Sequence, residues 1–290
     1  MSTLARPPHR FGTFAAADGR RLAFADEGEG PAVLCLAGLT RNMHDFDHVA
    51  AHLAERYRVI RLDSRGRGRS EHAQDPIAEY SVPVEAGDVL ALIAHLGLHR
   101  VSIIGTSRGG ILGMALAAGN PGLVDALVLN DIGAMIEMKG LLRILAGLGR
   151  APEDASFEAA AERLAAEHAA DFPGVPVARW LVHARAVYRD EAGRPALSYD
   201  PHLRAAAAAA MDLETGFVDL WPLFRAIGEV PVLLIRGANS DLLSAKTAEA
   251  MAAENPRLSA VTVADRAHVP FLDEPPAVAA IDAFLAEHAA

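Results

Sequence analysis

Along the first third of the chain, short apolar runs rich in β-branched residues alternate with longer stretches whose apolar positions recur at helical spacing. That alternation predicts a mostly parallel sheet covered by helices on both faces. "FGTFAAADGRRLAFADEG" reads as an opening hairpin turning at Asp18-Gly19. "PAVLCLAG", "YRVIRLD" and "RVSIIG" read as buried strands, with helices predicted from about Asp45 to Arg56 and from about Val84 to Leu96. "GGILGMALAAGNP" is the next helix, stopped by Gly-Asn-Pro, and "LVDALVLND" is the strand after it.

The rhythm breaks at about Gly133. From there to Thr215 the β-branched runs give way to alanine-rich amphipathic pieces such as "FEAAAERLAAEHAADF" and "HLRAAAAAAM", which predict an inserted helical block. Strand and helix resume with "VPVLLIRG", "SAKTAEAMAAENP", "LSAVTVAD" and a helix from about Pro276 to His288. The expected organisation is a core made of 1–132 and 216–290, with 133–215 as a helical cap.

Composition narrows the class of function. With 51% hydrophobic and 22% charged residues, the 290-residue chain has enough apolar mass for a large core. The formal net charge of -10 would repel a phosphate backbone, which argues against non-specific nucleic-acid binding, and no nucleic-acid partner is expected. No N-terminal stretch reads as a signal peptide and no window is apolar enough to cross a bilayer, so a soluble, cytoplasmic protein without a membrane partner is expected. A homo-oligomer is left open. The one cysteine, Cys35, lies inside an apolar strand and reads as a core residue.

The chemistry concentrates at "IGTSRGGILGM". Ser107 stands at a strand-to-helix corner with Gly105 and Gly109 two positions either side. A serine hydroxyl is a poor nucleophile unless it is freely presented beside a base, and a tight corner presents it. The corner also places the Arg108 N–H in the first turn of a helix, where it lacks an intrahelical acceptor and the helix dipole favours an anion. A second donor should come from "CLAGLT", with the Leu39 N–H as candidate and Gly38 allowing close approach. Serine alone at such a position could equally be a helix N-cap.

"GTSRG" matches the G-x-S-x-G nucleophile elbow, and in this the chain resembles the α/β-hydrolase family nearly end to end. "LDSRGRGRS" is similar to the family's Asp-x-Arg-Gly-x-Gly-x-Ser loop, "RGANSDLLS" to its acid loop and "DRAHVPFLDEP" to its base loop. The resemblance implies an α/β-hydrolase fold with a helical cap and a triad of Ser107, Asp241 and His268, with Leu39 and Arg108 as backbone oxyanion donors. Asp131, in "LVLNDIG", is the alternative acid; the other reading makes it a cap or hinge residue. Two positions depart from the common pattern: Ala37 precedes Gly38 where many members have His, and Ala267 precedes His268 where many have Gly.

The implied activity is cleavage of a small, largely apolar carboxylic ester through an acyl-enzyme, without a cofactor. Enol-lactone hydrolysis, carbon–carbon hydrolysis and cofactor-free perhydrolysis use the same triad and stay open, and a receptor-like ligand-binding protein is the non-enzymatic alternative. Trp180, Tyr188, Trp221 and Phe224 suggest an apolar pocket. Met135, Met138, Leu141 and Leu142 suggest cap packing. Arg61, Arg65, Arg67 and Arg69 are expected to brace their loop through ion pairs, and the Arg108 side chain to point away from the cavity or to contact substrate. His44, His48 and His52 recur every four residues, as on a solvated helix face, and no metal site is expected.

Overall fold

The computed structural model describes residues 10–210 and 217–289. Its strands are β1 (Arg10–Ala15), β2 (Arg21–Glu27), β3 (Ala32–Leu36), β4 (Arg58–Leu62), β5 (Val101–Thr106), β6 (Val124–Asn130), β7 (Met135–Glu137), β8 (Tyr188–Glu191), β9 (Arg194–Leu197), β10 (Phe217–Asp219), β11 (Val232–Gly237) and β12 (Leu258–Val263). Eight of them form one sheet in the order β1-β2-β4-β3-β5-β6-β11-β12. β1 and β2 are antiparallel, as the Asp18-Gly19 turn predicted, β2 meets β4 antiparallel, and every later pairing is parallel.

β3, β5 and β6 are buried along their whole length, which is why they read as continuous apolar runs rather than alternating ones. Their side chains feed two apolar layers. Leu34, Ile103 and Leu127 pack on one side of the sheet, and Val33, Ile104 and Val128 on the other. Cys35 sits in the second layer, and burial pushes its thiol up to about 12, so it remains a protonated core residue.

The helices are α1 (Asp47–Leu53), α2 (Pro76–Glu79), α3 (Val82–His95), α4 (Arg108–Gly119), α5 (Met138–Gly147), α6 (Phe157–Glu167), α7 (Val177–Val187), α8 (Leu203–Ala209), α9 (Trp221–Ala226), α10 (Ala245–Glu254) and α11 (Pro275–His288). The predicted helix at Asp45 begins as a 3-10 turn over Met43–Phe46, capped by the Asn42 side chain, before α1 takes over. The alanine-rich segments form α6 and α8 as predicted, and the expected boundary at 215/216 lies outside the described residues. The inserted segment is not helical throughout. β8 and β9 form a hairpin there, and β7 pairs with β10. Helices α6 and α7 bury Phe157, Leu164 and Trp180 against Phe172 and against Ala267, one residue before His268. The inserted segment therefore rests on the loop that carries the histidine.

Candidate active site

Four strand ends meet at one edge of the sheet. β5 delivers Ser107, β6 delivers Asp131, the loop after β11 delivers Ser240, and the loop after β12 delivers His268. Ser107 has φ 50 and ψ -114, a left-handed backbone that costs a non-glycine residue about 1–3 kcal/mol. The corner cannot relax easily, because the helix lies against the strands. A Cβ on Gly105 would come within 2.5 Å of the Gly109 carbonyl oxygen, and one on Gly109 within 1.9 Å of the Leu36 carbonyl oxygen. The Ser107 N–H donates to the Asn130 carbonyl at 3.0 Å, fastening the corner to the neighbouring strand.

The hydroxyl faces the imidazole. His268 Nε2 lies 3.0 Å from Ser107 Oγ, and His268 Nδ1 lies 2.8 Å from Asp131 Oδ2. Asp131 is fully buried and itself has φ 53. Its other partners are the Gly237 N–H, which donates to Oδ1 at 2.8 Å, and the Ser240 hydroxyl, which donates to Oδ2 at 2.6 Å. Ser240 Oγ in turn accepts from the N–H groups of Leu243 at 3.1 Å and Leu242 at 3.3 Å. Three donors, from the end of β11, the loop after it and the loop after β12, thus hold one carboxylate in place.

The carboxylate beside His268 is thus Asp131, the alternative acid of the sequence, and not Asp241. Asp241 does not reach His268; its Oδ1 accepts from Arg143 at 2.8 Å. The reason is local. Ser240 turns inward to Asp131, so the next residue, Asp241, turns toward α5, whose Gly140 N–H donates to the Asp241 carbonyl oxygen. Ser240, which sequence reasoning passed over, was visible only as a small polar residue beside the favoured aspartate.

A Cβ on Gly38 would lie 3.8 Å from the Ser107 Cβ, and a largely buried ionic chain ties the next residue, Leu39, to Arg108. Arg67 donates from Nε to the Leu39 carbonyl at 2.9 Å and from a terminal nitrogen to Glu85 Oε1 at 2.5 Å. Glu85 Oε2 accepts from Arg108 Nε at 2.8 Å, so the Arg108 side chain points into the helical layer rather than toward a substrate. Burial alone would raise the Glu85 pKa, but the charges of Arg67 and Arg108 outweigh it and hold the carboxyl below the usual glutamate range. The other arginines of the loop are also braces. Arg61 pairs with Glu27 and Asp47, Arg65 with Asp88, Asp18 and Glu79, while Arg69 lies over the Phe11 ring. His44 and His52 sit in separate pairs, with Asp47 and Asp282.

A cavity of about 330 Å³ reaches the His268 ring from beneath α5, α6 and α7. Its walls include Ile144, Leu148, Leu164 and Val187, but also Arg41, Arg143 and Arg150. The expected aromatic pocket is only partly there. Tyr188 lines the cavity, Trp180 is buried against Phe172 and Phe271 beside it, and Trp221 and Phe224 belong to the core layer under α4. Of the four residues read as cap packing, Leu141 packs on that same layer while Leu142 is exposed.

Residues 31–275 match the family model for the alpha/beta hydrolase fold. The chain belongs to the α/β-hydrolase family. Among characterised relatives, this hydrolase is 37% identical over 268 residues to the 3-hydroxybutyrate-oligomer hydrolase of Cupriavidus necator, covering 89% of this chain and 90% of that one. It is 29% identical to the 2-(acetamidomethylene)succinate hydrolase of Mesorhizobium japonicum, over 84% of its own length and 83% of the relative's. A crystal structure of an alpha/beta hydrolase from Novosphingobium aromaticivorans superposes with a TM-score of 0.89 at 38% identity, covering 97% of this chain and 99% of the other.

Proposed function

We propose that this hydrolase cleaves a small carboxylic ester through a Ser107–His268–Asp131 triad. The observation that carries the reading is the unbroken line from Ser107 Oγ to His268 Nε2 at 3.0 Å and from His268 Nδ1 to Asp131 Oδ2 at 2.8 Å. The similarity to a 3-hydroxybutyrate-oligomer hydrolase supports an ester as the bond attacked.

In this reading Ser107 Oγ attacks the ester carbonyl while His268 Nε2 takes the hydroxyl proton. Asp131 holds the Nδ1–H tautomer and stabilises the imidazolium that forms. The tetrahedral oxyanion is held by the N–H groups of Leu39 and Arg108, each worth about 2.7–4 kcal/mol by analogy with other such donors. Collapse breaks the bond to the alkoxide, which leaves with the proton from His268. Water then attacks the acyl-serine, gives its proton to His268, and the acid departs as Ser107 recovers the hydrogen. The proton transfers run between side chains already in contact, Ser107, His268 and Asp131, with water as the co-reactant of deacylation.

The test is covalent trapping. Incubation with a fluorophosphonate should add one phosphonyl group, found on the peptide carrying Ser107, and hydrolysis of activated esters should stop in proportion. Label on any other residue, or full activity after Ser107 is modified, contradicts the reading. Ser107→Ala should lower kcat by up to about a million-fold where the triad limits the rate.

A further inference from the structure

We infer that the substrate carries a carboxylate as well as the ester, and that Arg150 receives it. The inference rests on the esterase reading of the site and adds the charge class of the molecule that enters it. The cavity leading to His268 is lined by three arginines, Arg41, Arg143 and the exposed Arg150, and by one carboxylate residue, Asp241. Two of these charges are matched by carboxylates, and a neutral, apolar substrate would leave the third, that of Arg150, without a counter-charge, whereas an anion would supply one.

The three arginines are not equivalent. Arg143 spends one terminal nitrogen on Asp171 and the other on Asp241, so its charge is already matched. Arg41 is paired with Asp45 and leans on His183 Nδ1 at 3.4 Å. Arg150 lines the same cavity and, among the described residues, has no carboxylate within ion-pair distance. Its backbone is nonetheless located: the Arg150 N–H donates to the Gly147 carbonyl, and the preceding Gly149 N–H donates to Tyr199 Oη at 3.0 Å, both partners being cavity residues too.

The imidazoles of His183 and His168 add no positive charge to the wall. Burial, with Arg41 and Arg179 nearby, pushes His183 well below the ordinary histidine range, and burial with Arg143 pushes His168 down, so both stay neutral near pH 7. Ile144, Leu148 and Leu164 add apolar surface to the same wall. A guanidinium fork is the group best suited to a carboxylate, which it can hold by two parallel hydrogen bonds. The substrate class that fits is an ester with a short apolar body and an anionic end.

The experiment compares two probes: the linear dimer of a 3-hydroxyalkanoic acid, and the same dimer with its terminal carboxylate replaced by a primary amide. The wild type should hydrolyse the acid with kcat/KM roughly tenfold or more above the amide, the difference lying in KM. Arg150→Gln should remove that preference by raising KM for the acid alone, Arg150→Lys should restore part of it, and added salt should weaken it. Equal kcat/KM for both probes, or equal effects of Arg150→Gln on both, overturns the inference. Binding to Ser107→Ala separates the two claims. If the wild type cleaves neither dimer but the acid still binds in an Arg150-dependent way, the esterase reading falls and the carboxylate site stands; if acid and amide bind Ser107→Ala alike, the site falls whatever the turnover.

Discussion

Asp131 and His268, 137 residues apart in the chain, are joined by a 2.8 Å hydrogen bond at the sheet edge. The carboxylate that makes it is fixed from three sides, so its geometry belongs to the fold and not to the histidine alone. An acid held that way can keep one imidazole tautomer aimed at Ser107 throughout the reaction.

Ser240 is the least conspicuous part of that clamp. Its hydroxyl is the second donor to the same Asp131 oxygen that meets His268. Ser240→Ala removes one charge-assisted hydrogen bond from a buried carboxylate while leaving the residues that meet substrate untouched. The expected result in steady-state ester hydrolysis is a fall in kcat of about tenfold with KM nearly unchanged. A change confined to KM would mean that Ser240 acts on binding instead.

Glu85 carries a prediction about stability and pH. It bridges Arg67 and Arg108, and Glu85→Gln would leave the buried Arg67 and the half-buried Arg108 short of a counter-charge. Such a break costs about 3–5 kcal/mol, readable by urea unfolding at pH 7. The sign of the pH effect follows from the depressed folded-state value: ionised Glu85 favours the folded state above the ordinary glutamate value of 4.5, and that contribution is lost as pH falls through the lower folded value. Acidification below pH 4.5 should therefore erode the wild type more than Glu85→Gln, narrowing the gap between them.

The corner glycines separate by position. Gly109→Ala drives a methyl group to 1.9 Å from the Leu36 carbonyl, a backbone atom that cannot swing aside. Overpacking of this kind costs about 1–3 kcal/mol or more and should displace Ser107 from its elbow, abolishing activity. Gly119, at the far end of the same helix, has open space around its Cβ position. Gly119→Ala should leave activity intact and raise stability by up to about 1 kcal/mol. Thermal melts of both variants beside their ester turnover check this, and a wild-type-like Gly109→Ala would mean that the corner is looser than its contacts imply.

Much of this arrangement can be read from residue order, and the exceptions have physical causes. The parallel strands are legible because burial on both faces writes them as unbroken apolar runs, and Ser107 because its corner demands glycines. β8 and β9 escape such reading: "YRDE" is polar and mostly exposed, "RPAL" is four residues broken by a proline, and only the turn at Ala192-Gly193, with φ of 54 and 84, marks them as a hairpin. The acid was ambiguous for a different reason. β6 and β11 are neighbours, the Asp131 N–H donates to the Ile235 carbonyl, and an aspartate from either strand end could approach His268. What decides between Asp131 and Asp241 is the direction in which the loop after β11 turns its side chains, and a sequence does not encode that in any one residue. The arginines of the cavity were similarly hidden, since Arg41, Arg143 and Arg150 come together only when α5 folds over the sheet edge.

The choice of acid is the most direct test of the account. Asp131→Asn and Asp241→Asn, each nearly isosteric, should be compared for kcat on the same activated ester. Loss of the carboxylate that orients a catalytic histidine costs about ten-thousandfold in a comparable triad, so Asp131→Asn should fall by that order, whereas Asp241→Asn, which only loosens Arg143, should stay within about tenfold of wild type. A collapse of Asp241→Asn with Asp131→Asn still active would contradict the account at its centre.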